Sequence, residues 1–171
     1  MTRSDRPLLF LDVDGPLIPF GDSRLDGLAS PPSPACGGTN PLAGRIDPVL
    51  GPLLLGLRCE LVWATTWMQE ANSYLSPILG LPVLPVMEWP KDDDEHIDSW
   101  FGLHWKTRAL VARAAGRAFI WVDDEICDGD KEWVADNHAG PALLYRVDHQ
   151  VGLRSSDFDV IGEWAAANAV R

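Results

Sequence analysis

Near the start of the chain a wholly apolar run, Leu8-Leu9-Phe10-Leu11, ends in Asp12-Val13-Asp14-Gly15. A short stretch with no polar face reads as a strand buried on both sides of a sheet. Polar residues that follow such a strand emerge at the sheet edge, where they can meet solvent or a ligand. The arrangement recurs twice: 59–64 (CELVWA) ends in Thr65-Thr66-Trp67, and 118–122 (AFIWV) ends in Asp123-Asp124. In parallel α/β sheets ligands bind outside the carboxyl ends of the strands. Asp12, Thr65 and Asp123 are therefore expected to converge on one crevice.

Between these strands the apolar spacing turns helical. A helix is expected along Leu50, Leu53, Leu54 and Leu57, opened by Asp47 as N-cap with Pro48 at its first position. Others are expected over 69–79, stopped by Gly80, and around Lys106, Leu110, Val111 and Ala114, with Gly116 just past the end. A further helix is expected over 131–137. The last starts at Ser156, with Asp159 completing a capping box and Phe158, Ile161, Trp164 and Ala165 facing inward. Short strands are expected at 83–87 and 142–147. This alternation predicts an α/β fold, a three-layer α/β/α sandwich with a mainly parallel sheet, in one domain over 1–171. The Gly/Pro-rich stretch 26–44 reads as a flap loop and 91–98 (KDDDEHID) as a solvated acidic loop.

Composition narrows the function. Hydrophobic residues make up 46% of the chain, enough for a real core, and 25 acidic against 14 basic residues give a net charge of −11. No basic stripe exists to displace counterions, so no stable nucleic-acid binding is expected from charge. A phosphate pocket remains compatible if a metal supplies local positive charge. No apolar run approaches the roughly 20 residues needed to cross a bilayer. Nor is there a signal-peptide core, so no membrane partner and a cytoplasmic location are expected. Cys36, Cys59 and Cys127 form no CxxC and fit a reducing compartment.

Asp12 and Asp14 project to one side of an extended chain. Two carboxylates held together call for a divalent cation or a shared proton. Gly15 permits the sharp departure and close backbone approach that a phosphate site needs. A carboxylate approaching a phosphate dianion at ~4 Å meets repulsion of about 8 kcal/mol at an effective dielectric near 20. A cation and an ammonium group would offset it. An oxygen-only ligand set favours Mg²⁺ over zinc.

Taken in order, DVDG at 12–15, a strand ending in Thr65, Lys106 early in a helix, and Asp123-Asp124-x-x-x-Asp128 resemble the four motifs of the haloacid dehalogenase-like (HAD) hydrolase superfamily. The resemblance runs from about Leu8 to Asp128. It implies a HAD-like Rossmannoid sheet with no full cap domain, because little chain separates the first two motifs. It implies Asp12 as nucleophile and Asp14 as general acid and then base. Gly15, Thr65 with its neighbour Thr66, and Lys106 would bind the phosphoryl group, and Lys106 would also hold Asp12. Mg²⁺ would be held by Asp12, the backbone carbonyl of Asp14, and Asp124, with Asp123 and Asp128 in support. The chain departs from the family at Pro16, where Thr or Val is common. The acid at position 14 favours phosphoryl chemistry over carbon–halogen hydrolysis.

The stretches WATTW, HWKT and WVDDE are similar to the HAD-type domain of bacterial RNA-repair proteins. The implied substrate is a phosphorylated small molecule, or a nucleotide or RNA end. The expected reaction is Mg²⁺-dependent phosphomonoester hydrolysis through an aspartyl-phosphate on Asp12. Phosphotransfer to another acceptor, as in a mutase, and a catalytically silent partner-binding HAD fold are the alternatives. A signalling receiver domain fits less well, because an acid cluster follows Lys106. Trp63, Trp121 and Trp164 are expected in the core and His104 at the surface or in a cap, with reach to substrate, two residues before Lys106, as its alternative. Trp67 and Trp105, which flank motif residues, are placed either in the core or at the mouth of the pocket.

Overall fold

The computed structural model describes residues 6–21, 44–89, 98 and 102–169. Four strands, β1 (Leu8–Leu11), β2 (Glu60–Trp63), β3 (Phe119–Asp123) and β4 (Ala142–Arg146), form a parallel sheet in the order β2-β1-β3-β4. Alternation along the strands sorts their side chains into two cores. Leu9, Leu11, Leu61, Trp63, Ile120 and Val122 face one side. Leu8, Phe10, Val62, Phe119 and Trp121 face the other.

Helices cover both sides. On the first lie α1 (Leu50–Gly56), α2, which opens as a π-helical turn (Ala71–Leu75) and continues as α-helix (Ser76–Leu79), and α5 (Ser155–Asn168). On the second lie α3 (Thr107–Ala114) and α4 (Asp128–Asn137). The expected three-layer sandwich is thus the observed fold, and no separate cap domain occurs among the described residues. No helix among them is long and apolar enough to cross a membrane.

Several boundaries differ from expectation for identifiable reasons. The Asp47 carboxylate accepts the Val49 N–H at 3.0 Å, but 47–51 close as tight i→i+3 turns, so α1 begins at Leu50. Residues 83–87 make only an isolated bridge, Val86 to Trp63, because Pro82 and Pro85 have no N–H to give a ladder. The Asn72 side chain holds that segment beside β2, bonding Leu84 through both N–H and carbonyl at 2.9 Å and accepting the Trp63 indole.

Helix α3 ends where expected: Ala115 is its left-handed C-cap (φ +49°) and Gly116 follows just past the end at φ +79°. Helix α4 starts at Asp128, three residues earlier than expected, because the Asp130 carboxylate accepts the Cys127 N–H at 2.9 Å. Helix α5 starts before Ser156: Asp157, not Asp159, closes its first turn by accepting the Arg154 N–H at 2.7 Å. The flap at 26–44, apart from Gly44, and the acidic run at 91–97 lie outside the described residues. Asp98 is not solvated; it is buried and paired with Arg108 at 2.6 Å.

Candidate active site

The chain runs from β1 to β2 on one side and later reaches β3 on the other. The carboxyl ends of β1 and β3 therefore flank the point where strand order reverses, the usual crevice of such sheets. Asp12 stands just past β1 and Asp123 ends β3. Lys106, immediately before α3, reaches between them, its Nζ 2.9 Å from Asp12 Oδ2 and 2.8 Å from Asp123 Oδ2. Asp12, Lys106 and Asp123 are 7%, 3% and 0% exposed. Asp123 is fixed further by the Trp121 indole N–H at 3.1 Å and the Glu125 N–H at 3.0 Å.

Asp124 completes the acid group: one carboxylate oxygen each from Asp12, Asp123 and Asp124 lie within 4.8 Å of one another. Gly15 makes room for it. Its backbone is left-handed (φ +88°), and a Cβ there would fall 2.5 Å from the Asp124 carboxyl carbon. The Gly15 N–H is donated to Ile18 carbonyl at 3.0 Å, so this residue contributes space rather than an amide for phosphate. Pro16 fits the turn: the carbonyl of Pro16 accepts the Leu153 N–H at 2.8 Å, and the closing N–H groups come from Leu17 and Ile18.

The charges do not balance. Three buried or half-buried carboxylates face one ammonium. Burial, and then Asp123, push the Asp12 carboxyl up to about 7 despite Lys106 beside it. Burial, and then Asp123, also raise Asp124. Burial works against the Lys106 charge, but Asp12 and Asp123 outweigh it and hold the ammonium above its ordinary value. A hard divalent cation seated on these oxygens would cancel the excess, so the donor set fits Mg²⁺.

The remaining expected residues take distinct places. Asp14 is half-buried, its Oδ2 accepting the Trp67 indole N–H at 3.0 Å. Thr65 is fully buried, its Oγ1 accepting the Trp67 backbone N–H at 3.3 Å, whereas Thr66 is exposed. A cavity of about 200 Å³ is lined by Asp12, Asp14, Thr66, Lys106 and Asp124, together with Phe20, Trp105 and Glu125. Asp128 is not part of this group: it lies exposed in the first turn of α4, paired with Lys131 at 2.9 Å.

Sequence reasoning missed Phe20 and Glu125, since neither belongs to a motif. Glu125 carried one signal, as the next acid after Asp123-Asp124. His104, expected at the surface or in a cap, has its ring against Trp105 and Trp121. Cys127 bonds Gly102 carbonyl and Asp130, and burial followed by Asp130 raises its thiol, which leaves it unreactive.

Residues 8–158 match the HAD domain in Swiss Army Knife RNA repair proteins. No curated protein matches the chain. No solved structure matches it either. The match spans most of the sequence and takes in β1 through the start of α5, with all the acids just described. This chain belongs to that family, the HAD domains of Swiss Army Knife RNA repair proteins, and has its hydrolase-type fold.

Proposed function

We propose that this chain is a Mg²⁺-dependent phosphomonoester hydrolase that works through an aspartyl-phosphate on Asp12, with a nucleotide or RNA end as its substrate. The observation that carries this reading is the Lys106 ammonium bridging Asp12 and Asp123 at the sheet edge, with Asp124 within metal-sharing distance. Asp12, Asp123, Asp124 and the carbonyl of Asp14 would hold Mg²⁺, which offsets the phosphate charge when bound.

Lys106 neutralises a phosphoryl oxygen and keeps the Asp12 carboxylate aimed into the cleft. Thr66 offers a hydroxyl from the cleft wall, and the buried Thr65, whose oxygen accepts the Trp67 N–H, braces the turn that carries it. Asp12 attacks phosphorus while Asp14 gives a proton to the departing alcohol oxygen. Asp14 then takes a proton from water, which attacks the aspartyl-phosphate and frees Asp12. The cavity admits a phosphoryl group and leaves the rest of the substrate at its open mouth. Such a mouth suits a bulky or macromolecular phosphate.

Two measurements test the reading. Phosphate release should be measured on an aryl phosphate, phosphometabolites and phosphorylated RNA ends, with Mg²⁺ and with chelator. Release that requires Mg²⁺ is expected, and release undiminished in chelator overturns the metal assignment. Trp67→Phe removes the indole donor that orients Asp14 and leaves the ring. It is expected to lower kcat about tenfold with KM little changed. A change confined to KM would place Trp67 in substrate binding instead.

A further inference from the structure

Glu125 lines the same cavity as Asp12 and Lys106, and neither it nor His104 has a role in the chemistry above. The two form a built pair. The His104 side chain is 7% exposed, packed against Trp105 and Trp121 with ring centres 5.5 Å away from each. Its Nδ1 accepts the Lys106 backbone N–H at 3.1 Å, which puts the ring proton on Nε2. That Nε2–H donates to Glu125 Oε2 at 2.9 Å. The Glu125 backbone N–H is bound to Asp123 Oδ1. A glutamate whose side chain is 66% exposed is thus held at both ends.

A fixed anion here is unfavourable for an anionic substrate, and the cleft already has more carboxylates than ammonium groups. Glu125 therefore has to recognise something other than phosphate. With Oε2 bonded to His104, Oε1 remains as an acceptor for a hydrogen-bond donor on the substrate. The neighbouring wall residues are Phe20, which is 52% exposed, and Trp105. Aromatic faces beside an ordered carboxylate suit a sugar, and a carboxylate bonding a ribose hydroxyl is a recurrent solution. Metal binding by the pair is disfavoured by the tautomer: a cation on Nε2 would need the proton on Nδ1, where the Lys106 N–H already points.

Resting on the phosphomonoester reading of the cleft, we propose that Glu125, positioned by His104, selects substrates with a free hydroxyl on the carbon next to the phosphorylated one, as on a ribose. Affinity tests this without turnover. Adenosine 3′-monophosphate and its 2′-deoxy counterpart are titrated, with Mg²⁺, into Asp12→Asn protein with and without Glu125→Ala. The hydroxyl-bearing nucleotide is expected to bind about tenfold more tightly, and Glu125→Ala to bring the ratio to about one. Any loss common to both ligands cancels in that ratio.

Glu125→Gln, which must turn its carbonyl to His104 and an amide NH₂ to the cleft, is expected to lower the ratio as well. Equal affinities in the starting protein, a ratio that survives Glu125→Ala, or no binding of either nucleotide overturns the proposal. So does tighter binding of 2-aminoethyl phosphate that depends on Glu125, which would make the recognised group an ammonium. A chain that shows the preference yet releases no phosphate with Asp12 restored overturns the hydrolase reading and leaves this one standing.

Discussion

Asp12→Asn is expected to lower phosphate release at least ~10³-fold while leaving the metal-free protein as stable as the parent, or more stable, at neutral pH. The first effect follows from the nucleophilic role proposed for Asp12. The second follows from burial and Asp123, which push the Asp12 carboxyl from its ordinary 3.8 up to about 7. Between those two values the folded chain holds a proton that the unfolded chain has released. Folding stability from this group therefore falls as pH rises through the window, by up to about 1.4 kcal/mol per pH unit, and stays low above it. Asparagine has no such titration, and Lys106 keeps Asp123 as its partner. Thermal melts in chelator across pH 4–8 should show the variant gaining on the parent between about pH 4 and 7. A variant less stable than the parent at pH 8 would mean that Asp12 is a net stabilising partner of Lys106.

Lys106→Met should do the opposite to stability and the same to activity. It fills the volume of the side chain but leaves Asp12 and Asp123 buried with no cation between them. Removing one member of a buried ion pair costs about 3–5 kcal/mol, because the remaining charge is uncompensated. Phosphate release is expected to fall by more than ~10²-fold, since the proposed phosphate partner and the brace on Asp12 are both lost. Added Mg²⁺ should restore part of the melting temperature and little of the activity. A Lys106→Met protein that melts with the parent in chelator would show that the ammonium contributes nothing to holding the acids together. Together the two variants separate the group that opposes folding from the group that makes its presence tolerable.

The parts of the fold that sequence made legible are those with a strong local signal. β1, β2 and β3 read clearly because runs such as LLFL and FIWVD have no polar face, and the residues ending β1 and β3 came out at the crevice as the parallel topology demands. Helix starts were less legible. Caps depend on which acid folds back: Asp157 rather than Asp159 closes α5, and Asp130 starts α4 three residues before Lys131, through geometry that spacing does not encode. The proline-bracketed segment 83–87 kept the apolar look of a strand without the N–H groups for a ladder.

At the site, the order of motif residues located Asp12, Lys106, Asp123 and Asp124, since each lies at a strand or helix end. The division of labour between Thr65 and Thr66 was not legible: Thr65 is buried with its oxygen on the Trp67 N–H, and Thr66 lines the cavity. Nor was the Trp67 indole on Asp14, a contact between residues 53 apart in sequence.

The central place of β1 has a consequence for how such a centre could be controlled. The Asp12 N–H is donated to Val122 carbonyl, and the Leu11 carbonyl accepts from Ala64, so the backbone entering Asp12 is hydrogen-bonded into both neighbouring strands. These amides can exchange with solvent only when the sheet itself opens, whereas loops at the rim can open alone. The backbone that carries the Asp12 carboxylate is therefore as permanent as the fold. A change at this centre that leaves the sheet closed is confined to the rim, where Thr66, Phe20 and Glu125 line the cavity.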